Sequence, residues 1–237
     1  MSDALFRTDS YAKSCDATVT AVDERGVTLD RTVFYPTGGG QPGDTGMLTL
    51  ADGSVLQVTN AIKGDGPDVV IHVLEPGAAA PAVGSKVKAT LDWDRRHRHM
   101  RMHTCLHLLS AVLPYPVTGG QVSEDKGRLD FDIPEATLDK DAIAAKLNEL
   151  IAADHQVGMR WITDEELAAK PDLVKTMSVK PPSGHGRVRL IEVTGLDLQP
   201  CGGTHVARTG EIGRVEVVKI EKKGRINRRV VVAFGTA

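Results

Sequence analysis

The sequence has few cysteines, few aromatic residues and no long apolar run. Its three cysteines among 237 residues are an odd number that does not suit a disulfide framework, so they favour a reducing compartment. No apolar stretch approaches the roughly 20 residues that a membrane-spanning helix needs. The segment Met1–Ala4 has no basic part followed by an apolar part, so a secretory signal is not expected. These absences predict a cytoplasmic protein that does not associate with a membrane.

Two histidines lie four residues apart in a segment with helical periodicity, residues 94–113, which stops at Pro114. Residues i and i+4 lie on one face of a helix with Cβ atoms roughly 5–6 Å apart, so His103 and His107 suit one metal ion. Two histidines at this spacing are also common as ordinary surface or core residues. The apolar stripe expected to face the core comprises Met102, Leu106, Leu109 and Leu113.

A second cluster, Cys201 to His205, supplies a thiolate and a third imidazole. Gly202 and Gly203 between them allow the backbone to fold tightly around an ion. A mixed set of cysteine and histidine donors suits Zn²⁺ better than magnesium or calcium, which prefer oxygen. The joint occurrence of the two clusters therefore predicts one shared metal site. Its expected ligands are His103, His107, Cys201 and His205.

Two neighbouring residues qualify this assignment. His99 is also four residues from His103, so it either replaces a ligand or lies beside the metal. Cys105 is two residues from each helical histidine, which turns it about 200° away from them around the helix. We therefore expect Cys105 to pack in the core.

The first part of the chain has the pattern of short β-strands separated by glycine, proline and aspartate. Residues 17–22 and 27–33 alternate around the turn at 23–26, which predicts a hairpin. Six strands without a helix predict a small barrel or curled sheet. We assign this part to a first domain, residues 1–92. Its other strands are expected at residues 47–50, 55–62, 69–74 and 86–91.

Residues 93–237 are assigned to a second domain that mixes helices with an antiparallel sheet. A second amphipathic helix is predicted at residues 138–155. The spacing of Thr163 and Glu166 predicts a capping box before a short third helix. The fold class is therefore α+β. The strands of this domain are expected at residues 128–133, 157–162, 187–193, 213–220 and 227–234, and the last two are expected to form a hairpin.

The net charge of −2 gives no general indication of nucleic acid binding, but the basic residues are unevenly placed. One group leads into the histidine helix, and another lies near the C-terminus. Each group is compatible with a solvated face, yet two of them beside a candidate metal site favour a polyanionic substrate. The members are Arg95, Arg96, Arg98 and Arg101 in the first group and Lys219, Lys222, Lys223, Arg225, Arg228 and Arg229 in the second.

Several motifs resemble those of a known family. The two histidines of the helix, followed by the Cys201 to His205 cluster, are similar to the editing domain of alanyl-tRNA synthetases and to the freestanding alanyl-tRNA editing proteins of the AlaX family. Together with three further segments, this pattern extends the resemblance over both halves of the chain. The further segments are Phe34–Gly46, which is glycine-rich, Thr118–Ser123, and the C-terminal hairpin Lys219–Val232.

The resemblance implies a medium-length AlaX protein, with a β-barrel-like N-terminal domain and a zinc-containing editing domain. The implied activity is hydrolysis of the ester that joins a wrong amino acid, chiefly serine and secondarily glycine, to the 3′ end of alanine tRNA. The implied partner is the acceptor stem and aminoacylated end of that tRNA, and no obligate protein partner is indicated. Asp125 and Lys126 depart from the synthetase segment, so pocket selectivity is not transferred in detail.

The resemblance also implies roles for residues outside the metal cluster. The glycine-rich segment Phe34–Gly46 would contact the tRNA 3′ end, and the segment Thr118–Ser123 would recognise the hydroxyl of serine. Basic residues would bind acceptor-stem phosphates. By composition alone, the same residues suit an ordinary turn, a capped loop or a solvated face. The candidates are Gly38, Gly39, Gly40 and Gln41 for the 3′ end, Thr118, Gln121 and Ser123 for the amino acid, and Arg95, Arg98, Arg225 and Arg228 for the phosphates.

Four protein ligands raise a chemical question, because catalytic zinc usually keeps one coordination position open. In one alternative, His205 binds weakly or yields its position to the substrate, and acts as a residue beside the metal or in acid–base catalysis. The catalytic candidates are His205 and Gln121. In a second, all four residues bind and the substrate adds a fifth contact. In a third, a closed zinc only joins the helix to the Cys201 segment, and the protein is a tRNA-binding module. A zinc hydrolase of small esters is disfavoured, since the sequence lacks a His-Glu-x-x-His motif.

Overall fold

The computed structural model describes residues 2–66, 68–133, 137–175 and 186–235. The chain forms two compact units, Met1–His97 and Arg98–Ala237. The boundary between the units falls inside the longest helix, α1 (Trp93–Val112). Within the described ranges, no helix combines the length and the apolar character that crossing a membrane would require.

The first unit contains a closed six-stranded barrel. Its strands follow the order β2-β3-β7-β6-β5-β8, and β8 pairs with β2 to close it. The two remaining strands, β1 and β4, are short and pair in parallel. The predicted barrel is therefore confirmed. In chain order the strands are β1 (Asp3–Ala4), β2 (Ser14–Asp23), β3 (Gly26–Leu29), β4 (Arg31–Thr32), β5 (Gly46–Leu50), β6 (Val55–Lys63), β7 (Val70–Leu74) and β8 (Lys86–Leu91).

The predicted hairpin at the start of the barrel is present, but its second strand is shorter than expected. Val22 pairs with Val27 and Asp23 pairs with Gly26, so the turn contains two residues. The predicted strand at 27–33 is interrupted at Asp30, whose carboxylate accepts a hydrogen bond of 2.7 Å from the Thr18 amide. A side chain that bonds to the backbone of a neighbouring strand competes with the regular ladder. The chain continues afterwards as β4.

The described residues of the second unit form two α-helices besides α1 and two antiparallel sheets, in the orders β14-β15-β10-β9 and β11-β12-β13. The predicted α+β class is confirmed. The elements are β9 (Val117–Val122), β10 (Lys126–Asp132), α2 (Lys140–Ala152), β11 (Val157–Ile162), α3 (Asp164–Ala168), β12 (Val188–Val193), β13 (Asp197–Pro200), β14 (Val215–Lys222) and β15 (Asn227–Phe234).

Helix α1 is buried over most of its length, and this burial positions the histidines. Every residue from 102 to 110 is buried, so the apolar stripe is buried as predicted, and so is the opposite side of the helix. The four-stranded sheet approaches one side closely, because a Cβ added at Gly127 would lie 2.9 Å from the sulfur of Met102. The packed glycine therefore brings strand β10 against the helix.

The one predicted capping signal was confirmed, whereas three strands, β1, β9 and β13, were not predicted. The capping box of Thr163 and Glu166 is formed at the start of α3, and Asp139 caps α2 by accepting from two backbone amides. Strand β9 contains Gly119 and Gly120, and β13 is only four residues long and ends in proline. Glycine and proline are unfavourable in strands, so tertiary pairing overrides local preference at both strands.

Candidate metal centre

The structure brings together the four side chains that the sequence singles out as metal ligands. Helix α1 supplies His103 and His107, and the segment that follows β13 supplies Cys201 and His205. Their ligand atoms all lie within 4.8 Å of one another. The sulfur of Cys201 lies 3.6 Å from Nε2 of His103 and 3.3 Å from Nε2 of His205. The cluster could therefore hold one metal ion.

The spacing of these donors suits a tetrahedral ion. Zinc bonds of about 2.0–2.1 Å to nitrogen and about 2.3 Å to sulfur imply nitrogen–sulfur separations of about 3.5 Å in a tetrahedron. The two measured separations, 3.6 and 3.3 Å, are close to this value. Three imidazoles and one thiolate are also donors that zinc accepts.

A carboxylate fixes which nitrogen of His107 can bind a metal. Nδ1 of His107 lies 2.9 Å from Oδ2 of Asp197. A carboxylate only accepts, so Nδ1 carries a proton, and the neutral form of His107 has its lone pair on Nε2. This arrangement is typical of histidines that ligate metals through Nε2. Asp197 lies four residues before Cys201, and it is not one of the site residues expected from the sequence.

The hydroxyl of Thr104 fixes the tautomer of His205. The Thr104 hydroxyl donates to the carbonyl of Met100 at 3.0 Å, so its oxygen is an acceptor towards Nδ1 of His205, which lies 3.1 Å away. His205 therefore also directs an unprotonated Nε2 at the cluster. This geometry favours a ligand role for His205 over acid–base catalysis. Thr104 was not anticipated, since one threonine on a helix has no distinctive spacing.

The segment that carries Cys201 is held by a buried arginine. One guanidinium nitrogen of Arg189 donates to the carbonyls of Cys201 and Gly203, at 3.1 and 2.7 Å. The amide of Gly203 in turn donates to the sulfur of Cys201 at 3.4 Å. These bonds hold the thiol towards the histidines, and an N–H directed at sulfur favours the thiolate.

The charges around Cys201 and His205 favour the metal-binding protonation states of these two residues. Burial raises the pKa of Cys201, but His103 and His205 outweigh it and hold that pKa well below its usual range. Burial, together with His103, holds the pKa of His205 well below its usual range. A thiolate and neutral imidazoles are the forms that bind metals.

His107 and Asp197 form a coupled pair. Burial lowers the pKa of His107, but the hydrogen bond with Asp197 and the neighbouring Cys201 raise it to about 9. Burial raises the pKa of Asp197, but His107 and Lys175 lower it to about 2. The pair therefore favours an ionised Asp197 and, without a metal, a protonated His107. Binding of a metal through Nε2 must displace the proton on that nitrogen.

The two residues that qualified the ligand assignment lie outside the cluster. His99 is buried but does not belong to the group of converging donors. Cys105 is fully buried, as predicted, and burial raises its pKa to about 12. An inert, protonated thiol of this kind is typical of a core cysteine.

The glycine-rich segment forms a tight turn on the first unit. Gly38 and Gln41 exchange both backbone hydrogen bonds, at 3.0 and 2.9 Å. Between them, Gly39 and Gly40 have φ of +56° and +81°, a left-handed conformation that favours glycine. A Cβ at Gly43 would lie 2.0 Å from the carbonyl oxygen of Ala61. The glycines are thus required by the turn and its packing.

This geometry restricts the expected contacts of the segment with tRNA. The amides of Gly38 and Gln41 already donate within the turn, so they are not available to cradle phosphate. The side chain of Gln41 is 1% exposed, which argues against direct hydrogen bonding to a base or ribose. Gly39 and Gly40 at the tip of the turn remain the candidates for such contact.

Arg96, a member of the first basic group, cannot contribute to a polyanion-binding surface, because its side chain is completely buried. Its guanidinium pairs with Asp44 and donates to the carbonyl of Val33 at 2.7 Å. Arg95 is partly buried and donates to the carbonyl of Gly43 at 2.7 Å. Arg101 donates to the carbonyl of Ile212. The first basic group is therefore largely structural.

The other phosphate candidates lie nearer the surface. Arg98 is exposed and pairs with Asp125 at 2.6 Å. Arg225 is exposed, and Arg228 is partly buried beside it, at the turn between β14 and β15. Arg228 donates to the carbonyl of Gly224 at 3.2 Å, so it also stabilises that turn.

The three candidates for amino acid recognition lie on or beside β9. The Thr118 hydroxyl donates to the carbonyl of Asp130 at 3.1 Å, and Ser123 caps the β9–β10 turn by donating to Lys126 at 2.6 Å. Both hydroxyls thus have structural partners. Gln121 is exposed, and its Oε1 accepts from Arg128 at 3.2 Å.

The chain matches two families of synthetase domains. Residues 5–95 match the family described as tRNA synthetases class II (A). Residues 188–231, which include Cys201 and His205, match the Threonyl and Alanyl tRNA synthetase second additional domain. The alanine–tRNA ligase of Pyrococcus abyssi is 33% identical over 98% of this chain, which corresponds to 26% of the ligase. The two units, and the cluster of donors in the second unit, thus define a relative of one segment of a class II synthetase.

Freestanding proteins match over their full length. The alanyl-tRNA editing protein AlaX-M of Methanosarcina mazei is 38% identical, and the alignment covers 97% of this chain and 95% of the relative. AlaX-M of Saccharolobus solfataricus is 34% identical, with 97% and 98% covered. The chain belongs to the AlaX family of alanyl-tRNA editing proteins.

Proposed function

We propose that this protein hydrolyses the aminoacyl ester of alanine tRNA charged with serine and, secondarily, glycine, and that it does so with zinc. The observation that carries the proposal is the convergence of three histidines and one thiolate in a chain that matches AlaX-M proteins from end to end. In this proposal the second unit is the editing domain, and the first unit contributes to binding of the tRNA.

The residues of the cluster have distinct tasks in this proposal. Cys201 supplies negative charge, and His103, His107 and His205 supply neutral nitrogen donors. A zinc ion held by these donors would polarise the ester carbonyl or activate a water molecule. Gln121 is the exposed candidate for recognition of the serine hydroxyl, because a site built to hydrogen-bond a hydroxyl rejects a substrate that lacks it.

A second function is favoured by one observation, the completeness of the donor set. Four protein ligands are typical of structural zinc sites, and a structural zinc would make the protein a tRNA-binding module. The two functions differ in what removal of the metal does. A structural zinc contributes directly to folding, whereas removal of a catalytic zinc from a site on a buried helix leaves most of the fold intact.

Deacylation assays test the proposal. We expect the zinc-loaded protein to hydrolyse Ser-tRNA made on alanine tRNA and to spare Ala-tRNA, because sparing the cognate ester is what editing requires. A chelator should abolish hydrolysis while the far-ultraviolet circular dichroism is retained, and added zinc should restore activity. Binding of the tRNA without hydrolysis of the seryl or glycyl ester, or unfolding on chelation, would support the binding module instead.

Binding of tRNA is expected to depend on salt and on Arg225. Each phosphate contact that is lost lowers the slope of log Kd against log salt by about one. Replacing Arg225 by alanine should therefore weaken binding at low salt and reduce this slope by about one. The control is Arg25→Ala on the barrel, an exposed arginine that pairs with Asp23 and Asp65. Equal slopes for the parent and Arg225→Ala would remove Arg225 from the interface.

A further inference from the structure

A buried carboxylate lies directly behind one of the candidate metal ligands. The side chain of Asp197 has no solvent exposure, and the imidazole of His107 is 7% exposed. Their 2.9 Å hydrogen bond joins Oδ2 of Asp197 to Nδ1 of His107. Strand β13 begins with Asp197 and ends immediately before Cys201, so the carboxylate and the thiol lie four residues apart in the chain.

The carboxylate is itself held by two other side chains. Lys175 donates to Oδ1 at 2.5 Å, and the amide of Gln199 donates to Oδ2 at 2.8 Å. The lysine side chain is 30% exposed, so it can balance the charge of the carboxylate without being fully desolvated. A buried carboxylate with three donors is well compensated, whereas one with a single donor would be costly.

We propose that Asp197 is a positioning residue of the metal centre, and that Lys175 and Gln199 hold it in place. The inference rests on the metal-binding role of His107 in the proposed function. Asp197 keeps the proton of His107 on Nδ1, which directs the lone pair of Nε2 into the cluster. A negative charge behind the ring also makes that nitrogen a stronger donor. The backbone of Lys175 is also tied to strand β9, since its carbonyl accepts a hydrogen bond from the amide of Val117 at the start of that strand.

The test is the zinc affinity of Asp197→Asn in the full-length protein, measured by competition with a chromophoric chelator. Loss of a carboxylate behind a ligating histidine costs about 10–100-fold in metal affinity, and we expect a loss in this range. The absorption bands of the cobalt-substituted protein should also shift, because the donor strength of His107 changes. A role confined to folding would leave the cobalt spectrum unchanged.

Asp130→Asn is the matched control. Asp130 is another carboxylate with two cationic partners, Arg229 and Arg128, but it lies outside the cluster. Its replacement should leave zinc affinity and the cobalt spectrum unchanged. If Asp197→Asn does not fold, Lys175→Met serves as the test variant in its place. We expect Lys175→Met to weaken zinc binding several-fold.

The inference is overturned if Asp197→Asn folds and binds zinc within threefold of the parent with the parental cobalt spectrum. It is also overturned if Asp197→Asn does not fold and Lys175→Met retains the parental zinc affinity. Since the affinity is measured without tRNA, it separates this inference from the proposed function. Weakened zinc binding by the variant, with a parent that hydrolyses no ester, would support the inference and reject the proposed function.

Discussion

Replacing Cys201 by alanine is expected to remove the bound metal and to lower deacylation of Ser-tRNA by about a thousandfold. Cys201 supplies the negative charge of the cluster, with its sulfur 3.6 Å from His103 and 3.3 Å from His205. Lewis-acid stabilisation is worth several kcal/mol at a transition state, and about 4 kcal/mol corresponds to a factor of about a thousand in rate. Three imidazoles alone would bind the ion more weakly and leave it with a different charge.

The measurements are metal content after gel filtration and single-turnover deacylation. Cys105→Ala is the control, because it removes the second thiol of the same unit. That thiol is buried, lies outside the cluster and has a pKa that burial raises to about 12. We expect Cys105→Ala to keep its metal and its activity. A Cys201→Ala protein that hydrolyses Ser-tRNA at the parental rate would contradict the proposed chemistry.

Replacing Arg96 by methionine is expected to destabilise the first unit by about 3–5 kcal/mol. Arg96 has no solvent exposure and pairs with Asp44, which is 1% exposed. Removal of one member of a buried pair leaves the other charge uncompensated, at a cost of about 3–5 kcal/mol. Asp44 also accepts from the amide of Tyr35 at 2.5 Å, so the loss should extend to the glycine-rich segment.

Urea unfolding followed by tryptophan fluorescence measures this effect. The chain has two tryptophans, Trp93 in the first unit and Trp161 in the second, so a Trp161→Phe background reports on the first unit. Arg25→Met is the control, since it breaks exposed pairs with Asp23 and Asp65 within the same unit, and exposed pairs contribute little to stability. Equal losses for the two arginine variants would show that the Arg96 pair is not essential to the barrel.

The sequence predicted much of the architecture because each of its signals is local. Alternating apolar residues and glycine-rich turns predicted six strands, and all six are in the barrel. The helical spacing of apolar residues predicted α1 to within one residue at each end. The strands β9 and β13 were missed because their glycines and proline disfavour a strand locally, and pairing with β10 and β12 compensates for this.

The arginines show where charge patterning misleads. A run of arginines at the start of the histidine helix indicated a surface that binds a polyanion, and Arg98 is indeed exposed. Arg96 instead lies in the core with Asp44, 52 residues earlier in the chain. A charged residue is buried only when a partner and further acceptors surround it, and such a partner has no fixed position in the sequence.

The sequence by itself determined which side chains converge on the candidate metal centre, because a four-residue helical spacing and a Cys-to-His segment place donors in pairs. It also determined the barrel, through the alternation of its strands. Only the tertiary structure decided which ring nitrogen His107 and His205 direct at the cluster. Thr104 contacts His205 and Asp197 contacts His107 across 101 and 90 residues of chain. Hydrogen bonds between distant segments select a tautomer, and no local pattern specifies them.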